Sequence, residues 1–595
     1  MPRALAPAEP FLKKFLRIDR LSELYADAKA TARGRPVFER LLECLGARYS
    51  VAAEDLSRIP RTGPLIAVAN HPFGIADGAV LAALLPKVRP DVRIMTNYLL
   101  GELVEPTLDE LLLWVDPFSG RDSKLANRRP LRQAVEWVRR GGMLAIFPAG
   151  EVAHLDLARR RIVDPPWSDT VARLVRLTEA SVLPIFFHGV NSVPFHLLGL
   201  IHPSLRTARL PHEFLNKRGK EIRVEIGRPL AYRKLARLPD DAGLTDYLYR
   251  RTYLLASRAQ QRRTGPAWSL PAPLLRPERA VAEPTDRMAL RAEVDSLPAR
   301  RLLAEFGEYA VIQATAAEIP LALREIGRLR ELSFRAVGEG SGNPVDLDRF
   351  DEYYDHLFVW NRDNGEIVGA YRLGRSDEIL LTRGSGGLYT STLFEFSPDF
   401  FRRIGPALEL GRSFVRPECQ RDFAPLMMLW KGIGAYIARQ PRYRVLFGPV
   451  SISNEYAAAS KQFMVKFLKA HCLAPDLASR VRPRHDFKLR RAKDWELEVT
   501  GAFVEDIDAL SELVAEIEPD GKGVPVLVRQ YLKLGGRLLE FSVDPKFSRV
   551  LDGLVVVDLL ETDPRILQRY MGKENAARFV GFQGTRPAGL PAALP

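Results

Sequence analysis

Short apolar runs alternate with helix-like stretches through the first 263 residues of this chain of 595. Runs of this length, bounded by Gly, Pro or polar residues, are typical of buried strands. Strands that alternate with helices favour a mainly parallel sheet, because a parallel pair needs a long crossover connection. We therefore predict an α/β fold for this half. The predicted strands are 65–69, 92–96, 143–147, 182–187 and 221–226, and the predicted helices are 131–140 and 170–179.

A Pro-rich stretch, residues 264–298, divides the chain and predicts a linker. A chain of this length is too long for one hydrophobic core. We predict one domain over residues 1–263, a second over 299–584, and a disordered tail over 585–595. The second domain is also predicted to be mixed α/β. Its predicted strands are 356–360, 367–373, 407–414 and 445–450, with a helix over 425–439.

The net charge of +14 lies entirely in the first half of the chain. Residues 1–300 hold 47 Lys and Arg against 33 Asp and Glu, and residues 201–263 hold 15 against 6. Such asymmetry indicates either a solvated basic face or a polyanionic partner. No zinc-finger spacing or aromatic RNA-binding signature is present, so nucleic acid is not expected. An anionic membrane surface is the better partner.

Three cysteines, far apart and odd in number, predict neither a disulfide framework nor a metal site. The first 21 residues lack the apolar core of a signal peptide. The longest apolar candidate for a membrane span, residues 181–201, is interrupted by prolines, histidines and an asparagine. We expect a cytoplasmic protein held peripherally on the inner face of the cell membrane, without a metal ion or a permanently bound cofactor.

Residues 70–78 read Asn-His-Pro-Phe-Gly-Ile-Ala-Asp-Gly and follow directly after the first predicted strand. Here His71 has the chemistry of a general base, and Asp77 that of the carboxylate that orients it. The alternative is that Asp77 only caps a helix and His71 only occupies a turn. Two further predicted strands also end in polar turns, at residues 148–151 and 188–191. Carboxyl ends of parallel strands meet at one sheet edge, so these groups should converge.

These blocks, over roughly residues 50–230, resemble the glycerolipid acyltransferase superfamily, whose hallmarks are Asn-His…Asp and Phe-Pro-x-Gly. The sequence departs from these hallmarks at two points. Five residues separate His71 from Asp77, and the second block reads Phe-Pro-Ala-Gly-Glu. In both respects it resembles the hemolysin-like branch, which includes enzymes that acylate lyso-ornithine lipid. The resemblance implies catalysis by His71 and Asp77. The acceptor and donor would be bound by further residues: Asn70, Arg121, Gly150 and Glu151. For Glu151 a carboxylate at a helix start is the alternative.

Residues 350–456 resemble the GNAT acyltransferase fold, on the side of the ornithine N-acyltransferases and acyl-homoserine-lactone synthases. Glu-Leu-Gly-Arg-Ser at residues 409–413 is the most specific phrase, and the Gly-rich pyrophosphate loop for coenzyme A is missing. The resemblance implies a donor such as acyl carrier protein, whose phosphate a helix start with Arg421 would receive. Glu409 and Glu395 are candidate bases, and Arg412 would hold an acidic group. Strict alternation places Glu409 and Arg412 on opposite strand faces, and a structural Glu–Arg pair is the alternative.

Two acyltransferase halves in one chain resemble the bifunctional ornithine lipid synthases. The implied order is N-acylation of an amino acid with a 3-hydroxyacyl group, followed by O-acylation of that hydroxyl. One alternative is a lysophospholipid (1-acylglycerol-3-phosphate) acyltransferase with a non-catalytic GNAT-like domain. The other is a non-enzymatic adaptor at the membrane surface. Ornithine and glycine acceptors differ by details that the sequence leaves open.

Overall fold

The computed structural model describes residues 17–97, 110–116, 126–157, 161–258, 279–420, 422–488, 506–545 and 547–584. These residues form two units, which we call the N-terminal unit, up to residue 258, and the C-terminal unit, from residue 279.

The N-terminal unit is built on strands that lie close to the predicted ranges. Its strands are β1 (Arg48–Ser50), β2 (Leu65–Ala69), β3 (Val92–Asn97), β4 (Leu112–Val115), β5 (Met143–Ile146), β6 (His154–Asp156), β7 (Arg161–Val163), β8 (Ser181–His188) and β9 (Glu221–Ile226). Its helices are α1 (Ile18–Thr31), α2 (Val37–Leu45), α3 (Ala53–Ser57), α4 (Ile75–Val88), α5 (Arg128–Arg139), α6 (Thr170–Thr178), α7 (Val193–Ile201), α8 (Pro203–Ala208), α9 (Leu210–Leu215), α10 (Tyr232–Leu235) and α11 (Asp241–Leu254).

The main sheet of this unit has the strand order β1-β9-β8-β2-β5-β3-β4. Its pairs are parallel except β8 with β9, which confirms the prediction of a mainly parallel sheet. Leu65, Ala67 and Ala69 of β2 enter one hydrophobic core, and Ile66 and Val68 enter another. Because both faces of β2 are covered, its sequence is continuously apolar rather than alternating.

Strands β8, β2 and β5 are neighbours and run parallel. Their carboxyl ends therefore lie side by side at one edge of the sheet, as the sequence predicted. The turn after β2 carries His71, the turn after β5 carries Gly150 and Glu151, and β8 ends at His188. This edge is the usual location of sites in open α/β sheets.

The C-terminal unit contains a larger sheet, and its elements also match the predicted ranges. Its strands are β10 (Leu302–Phe306), β11 (Tyr309–Thr315), β12 (Asp355–Asn361), β13 (Glu366–Arg375), β14 (Phe394–Phe396), β15 (Ala407–Val415), β16 (Val445–Ile452), β17 (Val481–Pro483), β18 (Arg537–Asp544) and β19 (Val550–Asp558). Its helices are α12 (Arg287–Asp295), α13 (Pro320–Arg335), α14 (Ser376–Arg383), α15 (Phe400–Ile404), α16 (Phe423–Arg439), α17 (Ala458–His471), α18 (Pro475–Ala478), α19 (Ile507–Ile517), α20 (Val526–Lys533), α21 (Pro564–Met571) and α22 (Lys573–Gly584).

The eight strands of that sheet follow the order β10-β11-β12-β13-β15-β16-β19-β18. Strands β15 and β16 run parallel but pair only from Ala407 to Glu409, whereas β16 continues in full register with β19. The register of β13 with β15 shifts between Ala370 and Arg372, where β15 forms a bulge. The bulge inserts an extra residue at the point where β15 leaves β16.

The predicted linker extends too far along the chain. Residues 279–298 include helix α12, whose Leu290 and Val294 are buried in a core of the C-terminal unit. An amphipathic helix with two apolar positions four residues apart packs as part of a domain. This segment is therefore part of the C-terminal unit, and residues 264–278 and the tail 585–595 lie outside the described residues.

Candidate active sites

The His71 ring lies beside the Asp77 carboxylate in spite of the five intervening residues. His71 Nδ1 is 3.0 Å from Asp77 Oδ2. The His71 side chain is 17% exposed, whereas Asp77 is completely buried. A carboxylate beside Nδ1 favours a proton on that nitrogen and leaves Nε2 as an acceptor. The ring also stacks on Phe147, with 4.1 Å between ring centroids.

Asp77 is held by the turn itself. Its Oδ2 accepts hydrogen bonds from the backbone N–H groups of Phe73, at 2.8 Å, and Gly74, at 3.0 Å. The turn requires Gly74, because its φ of +81° is left-handed and an added Cβ would lie 2.8 Å from a Leu210 methyl carbon. The helix cap and the orienting carboxylate, which the sequence offered as alternatives, are thus the same group.

Asn70 ties two strands together. Its Nδ2 donates to the Phe187 carbonyl at 3.0 Å, and its Oδ1 accepts from the Phe187 N–H at 2.7 Å. Both ends of the amide are engaged, and the residue is buried. These bonds fix the end of β2 against β8, and the substrate-binding role of Asn70 stays a prediction.

A second carboxylate, Asp164, supports the turn and was missed in the sequence. Its Oδ1 accepts from the His71 backbone N–H at 3.1 Å, and its Oδ2 accepts from Trp167 Nε1 at 3.1 Å. Burial raises the pKa of Asp164 to about 6, against the effect of these donors. Residue 164 stands far from residue 71 in sequence, and no motif marks it.

The Pro148–Glu151 turn lies next to His71 but directs its carboxylate outward. The Ala153 N–H donates to the His71 carbonyl at 2.9 Å, which fixes the turn in place. Gly150 has a φ of +68°, and Glu151 is 60% exposed and 2.8 Å from Arg206 Nη2. Glu151 and Gly150 therefore stay predictions as binding residues, and Arg121 lies outside the described residues.

Lys217 lies under the same turn rather than on the basic surface to which the charge pattern assigned it. It is buried, donates to Asn191 Oδ1 at 3.1 Å and lies 3.8 Å from the Phe73 ring centroid. Burial lowers the pKa of Lys217 to about 8, although Glu213 and Asp77 oppose the shift. It adds a cation to the interior of the site.

Helix α7 packs against β6 and has an exposed apolar face. Its large exposed side chains recur at helical spacing, and Val190 and Leu205 flank them. The exposed residues of α7 itself are Val193, Leu197, Leu200 and Ile201, and Ile201 is 73% exposed. No Asp or Glu occurs between Ala180 and His212, and the exposed Arg218 and Lys220 follow. We call Val190, these four residues and Leu205 the apolar face of α7.

In the C-terminal unit, Glu409 is not available as a base. It is 1% exposed and accepts hydrogen bonds from the Tyr354 hydroxyl, the Tyr389 N–H at 3.1 Å and the Thr390 N–H at 2.6 Å. Burial raises its pKa. With its oxygens engaged by these donors, Glu409 fixes the segment 389–390 against β15. The prediction that Glu409 takes a proton from the substrate is therefore corrected.

Glu395 is also misplaced for catalysis. It lies on the short β14–β17 ribbon, is 58% exposed, and pairs with the exposed Arg484 at 2.9 Å. An exposed ion pair of this kind stays in contact with water and contributes little to an enclosed site. The prediction of Glu395 as a catalytic residue is corrected for this reason.

Arg412 is buried in a network of carboxylates. Its Nε is 3.2 Å from Asp346 Oδ2, its Nη2 is 3.5 Å from Asp348 Oδ2, and its Nη1 donates to the Tyr389 hydroxyl at 3.1 Å. Its φ of +50° places it in the left-handed region at the bulge of β15. Because of the bulge, Glu409 and Arg412 both contact Tyr389, so the expectation of opposite strand faces is wrong.

The sequence did not predict the other members of this charged network, which are Asp346, Asp348, Asp351, Arg330 and Arg372. Arg330 and Arg372 pair with Asp351, and Arg372 also pairs with Asp348 at 2.6 Å. The phrase Asp346-Leu-Asp-Arg-Phe-Asp351 was a visible signal, but no spacing rule connects it with β13 and β15. Arg421 lies outside the described residues.

Within the described ranges no group of three His, Cys, Asp or Glu side chains is arranged to hold a metal ion. No helix in that part of the chain is long and apolar enough to cross a membrane.

Comparisons with known proteins bear on both units. A family model described as "Acyltransferase" matches residues 33–260, and one described as "Acetyltransferase (GNAT) domain" matches residues 329–431. These matches confirm the predicted fold class for both halves. They also support the prediction that the protein transfers acyl groups.

Three curated relatives are similar to large parts of the chain. Glycine N(alpha)-acyltransferases of Bacteroides thetaiotaomicron and Phocaeicola vulgatus are each 32% identical, over 48% and 38% of this chain and 88% and 72% of their own lengths. L-ornithine N(alpha)-acyltransferase of Brucella abortus is 27% identical over 42% of this chain and 86% of its own length. The chain is therefore an acyltransferase that belongs to the family of these bacterial amino-acid Nα-acyltransferases.

Proposed function

We propose that the chain is a bifunctional acyltransferase that makes an ornithine-type aminolipid in two steps. The observation that carries the proposal is the His71–Asp77 pair in the N-terminal unit, joined in one chain to a GNAT-like unit. An amino-acid Nα-acyltransferase alone has no use for a second acyltransferase domain with an accessible histidine beside a buried aspartate. A product with both an amide and an ester gives each unit one reaction.

The C-terminal unit acts first in this proposal. The α-amino group of the amino acid attacks the thioester carbon of a 3-hydroxyacyl group carried on acyl carrier protein. The amide bond forms, the C–S bond breaks, and the thiol of the phosphopantetheine arm leaves with a proton. The ladder between the parallel strands β15 and β16 ends at Glu409, and the proposal places the extended acyl-thioester arm beyond this end.

The N-terminal unit then forms the ester. His71 Nε2 takes the proton of the 3-hydroxyl as its oxygen attacks a second acyl thioester, and the thiolate leaves. The imidazolium that forms is stabilised by Asp77 at 3.0 Å. Because Asp77 is buried and fixed by two backbone N–H groups, it needs little rearrangement when the charge appears.

The lipid substrate requires access from a membrane, and the apolar face of α7 supports that location. An apolar helix face flanked by basic residues lies well in the interface of an anionic bilayer. The Ala153 N–H, just before β6, donates to the His71 carbonyl, and β6 packs against α7, so the base and the helix lie on neighbouring elements. We propose that the protein works peripherally at the inner face of the cell membrane.

Lipid analysis tests the proposal in an expression host that lacks aminolipids. The wild-type protein should produce a ninhydrin-positive lipid whose mass equals an amino acid carrying one amide-linked and one ester-linked chain. His71→Ala should stop at the mono-acylated form, because only the ester step needs this base. His202→Ala, an exposed histidine of the same unit, is the matched control and should behave as wild type.

Two results would contradict the proposal. One is the absence of any new lipid from the wild-type protein. The other is acylation of lysophosphatidate by the purified protein with no activity on an amino acid, which would indicate a lysophospholipid acyltransferase.

A further inference from the structure

A buried carboxylate interrupts an otherwise apolar strand face in the C-terminal unit. On one face β19 presents Val550, Asp552, Leu554 and Val556, all nearly inaccessible to solvent. Leu554 and Val556 belong to a hydrophobic core, whereas Asp552 is 4% exposed and accepts a hydrogen bond from Ser451 Oγ at 2.7 Å. An acidic side chain in such a row is costly unless something compensates it.

Two more carboxylates and a tyrosine adjoin Asp552. The Tyr389 hydroxyl donates to Asp544 Oδ2 at 3.1 Å and accepts from Arg412 Nη1 at 3.1 Å. Both Asp544 and Glu339 are close enough to Asp552 for their charges to interact. We call Glu339, Asp544, Asp552 and Tyr389 the Asp552 cluster.

Glu339 is the member of the cluster whose charge is least compensated. It is only 7% exposed, and its carboxylate has no hydrogen-bond or ion-pair partner among the described residues. Burial and the charge of Asp552 raise the pKa of Glu339 to about 8. Burial and Asp544 likewise raise the pKa of Asp552 to about 7, against Ser451 and Arg412. Both carboxyls would ionise more readily beside a cation.

The nearby arginines do not supply that cation. Three of them, Arg330, Arg372 and Arg412, form their ion pairs with Asp346, Asp348 and Asp351. Neither Glu339 nor Asp552 forms an ion pair with Lys or Arg in the described part of the chain. Glu339 and Asp552 are therefore buried acids that no ion pair compensates in that part of the chain.

We propose that the Asp552 cluster binds the side-chain ammonium of a dibasic amino acid, which is the acceptor of the C-terminal unit. This inference rests on the proposed N-acylation and selects a dibasic acceptor such as ornithine over glycine. A primary ammonium carries three donors, which suit the carboxylates of Glu339 and Asp552 and one further acceptor. Glycine would leave both acids uncompensated in a buried site.

Acceptor competition with the purified full-length protein tests the inference. Ornithine, norvaline and glycine would be compared with a 3-hydroxyacyl-acyl carrier protein donor, since norvaline has the carbon skeleton of ornithine without the ammonium. Ornithine should be preferred. Asp552→Asn and Glu339→Gln should each lower kcat/KM for ornithine by roughly tenfold to hundredfold and leave norvaline nearly unchanged. Asp558→Asn, on the same strand but paired with Arg444 at the surface, is the matched control.

Calorimetry supplies a readout that does not depend on turnover. Ornithine should bind the wild-type protein at pH 7 and release protons, seen as a heat that varies with the ionisation enthalpy of the buffer. The release should decrease in Glu339→Gln, because only Asp552 can then ionise, while unchanged melting temperatures confirm that the variants fold.

Three results separate the possible failures. Equal loss of ornithine and norvaline in both variants, or a wild-type preference for glycine, would overturn the inference. If the wild-type protein acylates no amino acid, the proposed function fails. In that case calorimetry alone tests the inference. If Asp552→Asn binds ornithine as tightly as the wild-type protein, the assignment of the Asp552 cluster is wrong.

Discussion

At the scale of single residues, Asp164 shows how a remote carboxylate supports a candidate catalytic turn. It contacts the His71 N–H from 93 positions away in the chain, and its pKa is raised to about 6 by burial. A carboxyl whose pKa is higher in the folded state than in the unfolded state stabilises the fold only while it is protonated. That stabilisation is complete below about pH 4 and is lost as the pH rises through about 6.

Asp164→Asn should remove this pH dependence. Relative to the variant, the free energy of unfolding of the wild-type protein should fall by about 2 kcal/mol between pH 4 and pH 7. Chemical denaturation at a series of pH values measures the difference, and Glu54→Gln provides a control with an exposed carboxylate. Identical pH profiles for the wild type and Asp164→Asn would contradict the assignment.

Glu409 offers a second test at this scale, because its contacts are structural. Glu409→Gln keeps the shape of the side chain but loses an acceptor for the Tyr389 and Thr390 N–H groups, so stability should fall by about 1–3 kcal/mol. N-acylation should weaken without a change in the shape of its pH profile. If the variant's rate of N-acylation no longer falls at low pH, while its melting temperature is unchanged, Glu409 acts as the base.

At the scale of secondary structure elements, helix α7 makes a prediction about membranes. Leu197→Glu with Ile201→Glu places two carboxylates on its apolar face. Binding to vesicles that contain anionic lipid should weaken roughly tenfold to hundredfold in a sedimentation assay. Leu381→Glu, at a 61% exposed leucine of the C-terminal unit, is the control. Equal binding by all three proteins would contradict the proposed membrane face.

The elements themselves were largely predictable from the sequence, whereas their long-range contacts were not. The run at 65–69 is apolar throughout because both faces of β2 are buried, and its bounds agree with the prediction. Asp164 and Asp552 carry no local signal, since each acts through a partner distant in the chain. The alternation of side chains along a strand predicted the wrong face for Arg412, because β15 bulges there and the left-handed backbone of Arg412 changes the direction of its side chain.

At the scale of the whole molecule, the two proposed reactions need not occur in the same polypeptide. His71→Ala should accumulate the mono-acylated lipid, and Arg412→Gln should make neither product because it weakens the network around Tyr389. When both variants are produced in one cell, the fully acylated lipid should return, since one chain supplies the intermediate for the other. Mass spectrometry of the lipids measures it, and failure to return would indicate transfer within a single chain.

The compactness of the His71 turn has a consequence for how this family can diversify. His71, Asp77 and the N–H groups that hold Asp77 lie within seven consecutive residues, whereas Glu151 and its partner Arg206 come from other parts of the chain. Glu151 is predicted to bind the acceptor, so we expect substitutions at residues 151 and 206 to change the acceptor without disturbing the proton-transfer pair. Variants randomised at these two positions should be screened for new lipid products, because the sequence of the reactive turn is the same in all of them.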